Sequence, residues 1–298
     1  MNSPIEISRF HVLSYSWDEF IPRLEAYDEN LEEIVSLPLD KLNVTISEER
    51  RCIGSFGDKY RPCLSKTSVG RLTQCRECMG DWADIQKCIF EPQCEGDGCE
   101  HNYFCNRLHV VYLAVYGTLV KVGMTSASRL IRRGIEQGAD AIVPIFSCRD
   151  RQEARNLEKE TSMKFGILQE IRATKIATQW THPPSKDVCD NILTHYRNRI
   201  ASWRSTIDEE ITHLENYPIK SYPRTPPKRV GTAGNHVGKV LGVKGRFMLY
   251  RSWRGNSKLL NLNDIPSRTI VLKAEDSKDY GFVPEEQRRW EQRSLDLC

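Results

Sequence analysis

The spacing of apolar residues changes character several times along this chain. Ile5 to Ser16 and Lys41 to Ile46 alternate polar and apolar side chains, which predicts strands, while the acidic stretch Asp18 to Val35 between them reads as helix. Residues 55 to 106 lose hydrophobic periodicity and become rich in cysteine, so bound metal must supply the order that a core cannot. Regular patterning returns at His109. His109 to Tyr116 predicts a buried strand, Gly117-Thr118 a tight turn, and Leu119 to Gly123 the antiparallel partner. Leu130 to Gln137 predicts a short helix with Gly138 as its C-cap, and Ala141 to Phe146 a further strand. Arg151 to Phe165 carries Ala154, Leu157, Thr161 and Phe165 on one helical face.

A longer helix is expected after His182-Pro-Pro-Ser185, capped by Ser185 or Asp187 and running to about Asn216. Tyr217 to Val230 holds four prolines and reads as an extended linker. Beyond it, the apolar runs Val237 to Val243, Arg246 to Arg251 and Thr269 to Lys273 suggest a small antiparallel sheet or barrel. The chain is therefore expected to be α+β, in four regions: a β-rich N-terminal segment (1–51), a cysteine-rich zinc-binding module (52–106), an α/β core with a long helix (107–216) and a basic C-terminal β domain (217–298). A length of 298 residues accommodates several compact units, each able to bury a core.

Charge alters this picture at the two ends. Residues 1–50 hold 4 Lys/Arg against 11 Asp/Glu, a balance of −7, whereas Asn216 to Asn263 holds ten basic residues and no acidic one. That asymmetry points to a polyanion partner for the C-terminal part, the alternative being a solvated basic face without a partner. The longest apolar run, Val110 to Tyr116, is far short of the roughly 20 residues a membrane-spanning helix needs, so a cytoplasmic protein is expected.

Eleven cysteines in a cytoplasmic chain of this length, some in close CxxC spacing, point to metal rather than disulfides. Cys75-Arg-Glu-Cys78 is a short turn that can bring two thiolates onto one tetrahedral ion, and Cys63 and Cys52 can complete the set. Cys88, Cys94, Cys99 and Cys105 are compact enough for a second site, with His101 and His109 as reserve ligands. Two zinc ions are the expectation. An iron–sulfur cluster would use the same thiolates, and Cys52, in a strand-like context, reads equally well as a core thiol. Cys148, Cys189 and Cys298 stand alone.

Val110-Val-Tyr-Leu-Ala, Lys121-Val-Gly-Met-Thr125, Leu130-x-x-Arg133 and the later Glu158 together resemble the GIY-YIG superfamily over roughly residues 109–200. With the preceding cysteines and Gln137-Gly138-Ala139, the chain is also similar to a family of uncharacterised prokaryotic zinc-cluster proteins with a GIY-YIG-like core. The resemblance implies a catalytic set of Tyr112, Arg133 and Glu158, with Glu158 holding a divalent cation such as magnesium, and Gly123 on the second motif glycine. Lys121 stands where the superfamily carries its second tyrosine, a departure that bears directly on cleavage. Without that chemistry, Tyr112 packs in a strand, Arg133 pairs with Glu136 or Glu153, and Glu158 belongs to a solvated helix face.

At the C-terminal end Phe247, Tyr250 and Trp253 interleave with Arg246, Arg251 and Arg254, a combination able to stack on bases and neutralise phosphates. Arg246, Arg251, Trp253, Arg254 and Lys258 are the candidate nucleic-acid contacts, although some of the aromatics can equally belong to a core. The leading expectation is a zinc-containing nucleic-acid-binding protein acting on structured RNA such as tRNA, with RNA favoured over DNA. A divalent-metal-dependent GIY-YIG-like endonuclease is the enzyme alternative, and an RNA-modifying enzyme or its partner subunit the second. Gly231-Thr-Ala-Gly234 lacks the strand–helix context of a phosphate cradle for a small-molecule donor.

Overall fold

The computed structural model describes residues 7–83, 86, 88, 91, 92, 99 and 101–273. The chain opens with an antiparallel meander, β1 (Ile7–Asp18), β2 (Ile21–Asp28) and β3 (Glu33–Leu37), followed by β4 (Lys41–Ile46). A two-residue pair, β5 (Ser55–Phe56) with β6 (Tyr60–Arg61), and a one-turn helix, α1 (Arg76–Met79), follow in the cysteine-rich stretch.

Next come β7 (His109–Tyr116), β8 (Leu119–Ser126), α2 (Leu130–Gln137), β9 (Ala141–Cys148) and α3 (Arg151–Phe165). The helices α4 (Ala173–Gln179) and α5 (Lys186–Ala201) and the short β10 (Thr212–His213) complete this part. The remaining strands are β11 (Lys228–Arg229), β12 (Gly234–Lys244), β13 (Phe247–Ser252), β14 (Ser257–Asn261) and β15 (Thr269–Lys273).

These elements form two compact units: residues 7–83, 218–221 and 227–273 in one, and 101–217 and 222–226, with residues 86, 88, 91, 92 and 99, in the other. The first unit is organised on a nine-stranded sheet in the order β11-β14-β13-β12-β4-β15-β1-β2-β3. Its β13 buries Phe247, Met248, Leu249 and Tyr250 in succession, so both faces of that strand are covered. Tyr15 Oη and Trp17 Nε1 both donate to the Gly245 carbonyl, fixing the β12–β13 turn against β1.

The second unit has a four-stranded sheet, β10-β9-β7-β8, with β7 buried along its whole length. Leu157 of α3 and Leu193 and Ile200 of α5 join Val111, Leu113, Val143 and Ile145 in one core. Asp150 caps α3 by accepting from the Glu153 amide at 2.8 Å, Ser185 caps α5, and Gly138 closes α2 in the left-handed conformation at φ 77°.

Several expectations are corrected. Asp18 to Val35 is not helical: Leu24, Ala26 and Asp28, then Val35 and Leu37, are buried at every second position, the period of β2 and β3. The long helix stops at Ala201, because Trp203 and Arg204 both bond back to the Ile200 carbonyl and Ile207 then joins the sheet at Ile145. The C-terminal strands do not make a sheet of their own. β12 pairs with β4, and β15 with β4 and β1, so the N-terminal segment and the C-terminal strands share one sheet. The cysteine-rich stretch is divided between the units, its first four cysteines in one and Cys88, Cys99 and Cys105 in the other. No helix among the described residues is long and apolar enough to cross a membrane.

Candidate metal centre and the Tyr112 cluster

The loop that carries the first four cysteines is held to the nine-stranded sheet by main-chain bonds. The Arg51 amide donates to the Ser267 carbonyl at 2.7 Å, Cys52 to Thr67 at 2.8 Å and Ile53 to Thr73 at 3.0 Å. His11 Nε2 lies 3.2 Å from the Cys52 carbonyl, and Gln74 Nε2 donates to the Gly54 and Cys78 carbonyls at 2.7 and 3.3 Å. These bonds draw both halves of the loop together. Gly54 is required in its place: at φ 85° it approaches the Arg61 carbonyl, which an added Cβ would meet at 2.2 Å.

Cys52, Cys63, Cys75 and Cys78 converge, with all four Sγ atoms within 4.8 Å of one another. Cys52 Sγ accepts amide bonds from Cys75 at 3.2 Å and Gly54 at 3.4 Å. Such N–H donors favour a thiolate over a thiol. Burial raises the Cys63 thiol, but hydrogen bonds from Ser65, the Thr67 amide and the neighbouring cysteines outweigh it and hold the group at about 6. Cys78 is driven upward by burial and by the adjoining thiols. Thiolate character is thus favoured in part of the cluster and opposed by crowding of like charge, a conflict that a bound cation removes. The set can hold a metal ion. The Tyr60 hydroxyl is enclosed with no hydrogen-bond partner, and the cysteines Cys52, Cys78 and Cys63 help push its acidity down.

Cys94, expected in the second set, lies outside the described residues. Cys88, Cys99 and Cys105 are free thiols of intermediate exposure. Arg151 ties two of these positions to α3: its Nη1 donates to the Cys88 carbonyl at 2.6 Å and its amide to the Cys105 carbonyl at 3.0 Å. His109, a reserve ligand by sequence, is buried in β7 with Nδ1 2.7 Å from the Arg107 carbonyl.

In the second unit the register of β7 on β8 pairs Tyr112 with Gly123 and Ala114 with Lys121, as a two-residue Gly117-Thr118 turn requires. Tyr112, Ala114 and Tyr116 share one face, and small Ala114 leaves room for the Lys121 side chain between the two phenols. Tyr112 Oη, Tyr116 Oη and Lys121 Nζ all donate to Gln137 Oε1 of α2, at 3.2, 3.0 and 3.0 Å. Gly123 is a steric necessity, since a Cβ there would meet Tyr112 Oη at 2.6 Å.

Burial pushes the Tyr112 phenol up to about 12, with Arg133 acting to lower it and Glu158 to raise it. The structure thus brings Tyr112, Lys121, Arg133 and Glu158 into one neighbourhood. Their environments differ. Arg133 is 44% exposed and lies 3.7 Å from Glu136, whereas Glu158 is buried on α3 and paired with Arg155 at 2.6 Å. Arg155 also holds Glu91 and Gln169. Tyr116 is not marked by sequence as part of this cluster, although its spacing of four from Tyr112 on a strand places both on one face.

Of the expected nucleic-acid contacts, Trp253 is 76% exposed, in the turn after β13, with the Arg254 guanidinium 4.6 Å from its ring centre. Arg251 is exposed, while Arg246 and Lys258 are partly buried and lie over Phe247 and Tyr250 at 5.2 and 5.9 Å. Phe247 and Tyr250 themselves are core residues. Of the aromatics considered there, Trp253 alone is presented to solvent.

No curated protein and no solved structure matches this chain. The family model described as "Protein of unknown function (DUF2797)" matches residues 40–265, a span that contains both the four-cysteine cluster and the Tyr112 cluster. The chain belongs to the DUF2797 family.

Proposed function

We propose that this is a zinc-containing nucleic-acid-binding protein and that its ligand is structured RNA. The observation that carries the metal part is the convergence of four thiols within 4.8 Å, two of whose flanking amides already bond to Cys52 Sγ. Four sulfurs on one tetrahedral zinc stand about 3.8 Å apart, given a Zn–S distance of about 2.3 Å, so a small contraction completes the site. The zinc would be structural, filling its coordination with protein ligands and ordering a loop that has little core of its own.

The nucleic-acid part is supported by the charge of the same unit. Lys228, Arg229, Lys239, Arg251, Arg254 and Lys258 lie on β11 to β14, and no ion pair joins any of them to a carboxylate among the described residues. Arg155, Arg132, Arg23 and Arg268, by contrast, are each paired. Sequencing of RNA and DNA crosslinked to the purified protein tests the proposal. A defined RNA class is expected; recovery of no nucleic acid above a control protein rejects it.

A second reading, divalent-metal-dependent phosphodiester cleavage, is favoured by the gathering of Lys121, Arg133 and Glu158 around Tyr112. The Arg155–Glu158 pair argues against it, because it occupies the carboxylate that a hard cation would need. Magnesium-dependent cleavage of the crosslinked RNA, lost in Glu158→Gln, would establish this reading over simple binding.

A further inference from the structure

The strand register creates a feature that the sequence does not display. β12 pairs with β13 so that Lys239 lies directly opposite Arg251, and β12 pairs with β4 so that Lys41 occupies the next position in the same row. Residues directly opposite in an antiparallel ladder share a face, with Cβ atoms about 5 Å apart, and like charges there repel. Lys239 and Arg251 are both exposed, and no carboxylate is ion-paired with either among the described residues. Asn43, Val237, Leu241, Leu249 and Ser257 occupy the register positions around the row, so no acidic residue of these strands relieves the repulsion.

The row ends beside the turn that carries Trp253. Ser252 binds Asn256 through its amide, and Gly255 returns a bond to Ser252, which closes the turn and holds the indole outward. Arg254 covers one side of that indole at 4.6 Å. A cation pair two residues along the chain from an exposed, cation-backed ring has the two parts that an unpaired nucleotide needs: charge for its phosphate and a flat surface for its base. A duplex satisfies only the first, because its bases are stacked inside the helix.

We infer that this end of the sheet grips an unpaired stretch of the RNA, with Lys239 and Arg251 clamping a phosphate and Trp253 stacking on the adjacent base. The inference rests on the RNA-binding reading above and adds which part of the RNA is held and by what. Lys239 enters through register alone.

The test uses the full-length protein with fluorescein-labelled oligouridylate, free or annealed to oligoadenylate, and reads anisotropy across a salt series. Wild type is expected to bind the single strand more tightly than the duplex. Lys239→Gln with Arg251→Gln should lower the log–log salt slope by roughly 1.4, about 0.7 for each cation withdrawn from the phosphates of a single strand. Trp253→Ala should weaken binding at least about fivefold with the slope unchanged, and Trp253→Phe should restore most of that affinity. All these side chains are exposed, and unchanged far-ultraviolet circular dichroism would show that the fold is kept. Tighter binding to the duplex, or single-strand binding indifferent to all three variants, overturns the inference while leaving RNA binding standing. If wild type binds neither form, the RNA reading falls and the inference with it.

Discussion

Gly123 and Tyr112 show how a single position controls the second unit's cluster. The phenol lies over the strand only because position 123 has no side chain, so Gly123→Ala must displace Tyr112 and its bond to Gln137. We expect a loss of about 1 to 3 kcal/mol in urea denaturation, the usual range for overpacking a filled core. A second residue, His236, gives the first unit a pH dependence. Its Nε2 donates to the Thr232 carbonyl at 2.9 Å and its Nδ1 accepts from Tyr250 Oη at 3.0 Å, so the folded ring is neutral, and burial holds its pKa below the usual 6.5. The unfolded chain then takes up the proton first. The stability this provides is complete above about pH 6.5 and falls as pH drops through the lower folded value. The urea midpoint should therefore decline on acidification just below pH 6.5, with a shallower decline in His236→Gln; equal slopes would mean that other groups govern the effect.

At the scale of elements, local rules are enough for much of the second unit. Leu130–Gln137 and Arg151–Phe165 match their expected boundaries because Gly138 and Asp150 act within a few residues, and β7 pairs with β8 across a two-residue turn. Asp150→Ala should cost about 1 kcal/mol of stability by removing the α3 cap, checked by the same denaturation; no change would show that Glu153, whose carboxylate accepts from the Arg149 amide, caps the helix alone. β2 and β3 read as helix in the sequence because their acidic residues also fit helical spacing, while the buried alternation of Leu24 and Ala26 decides the outcome. Of the candidate metal ligands, Cys75 and Cys78 are legible from their spacing. The union of β4 with β12 and β15 is not, because the pairing joins segments from opposite ends of the chain, and the Lys239–Arg251 row follows from it.

For the whole molecule, the described cysteine ligands and the Tyr112 cluster fall in separate units, so metal removal should act unevenly. In hydrogen-exchange measurements with a strong chelator, residues 51–79 should lose protection while β7 and β9 retain theirs, since those strands are buried by their own core. Uniform loss across both units would contradict the division. The claim on which the rest depends is that Cys52, Cys63, Cys75 and Cys78 share one metal ion. Elemental analysis of wild type beside Cys75→Ser, purified without added metal, tests it most directly. The account predicts that the variant carries one zinc fewer per chain than wild type. Equal zinc in both proteins, or a wild type with no metal and with these cysteines joined in disulfides, would contradict it.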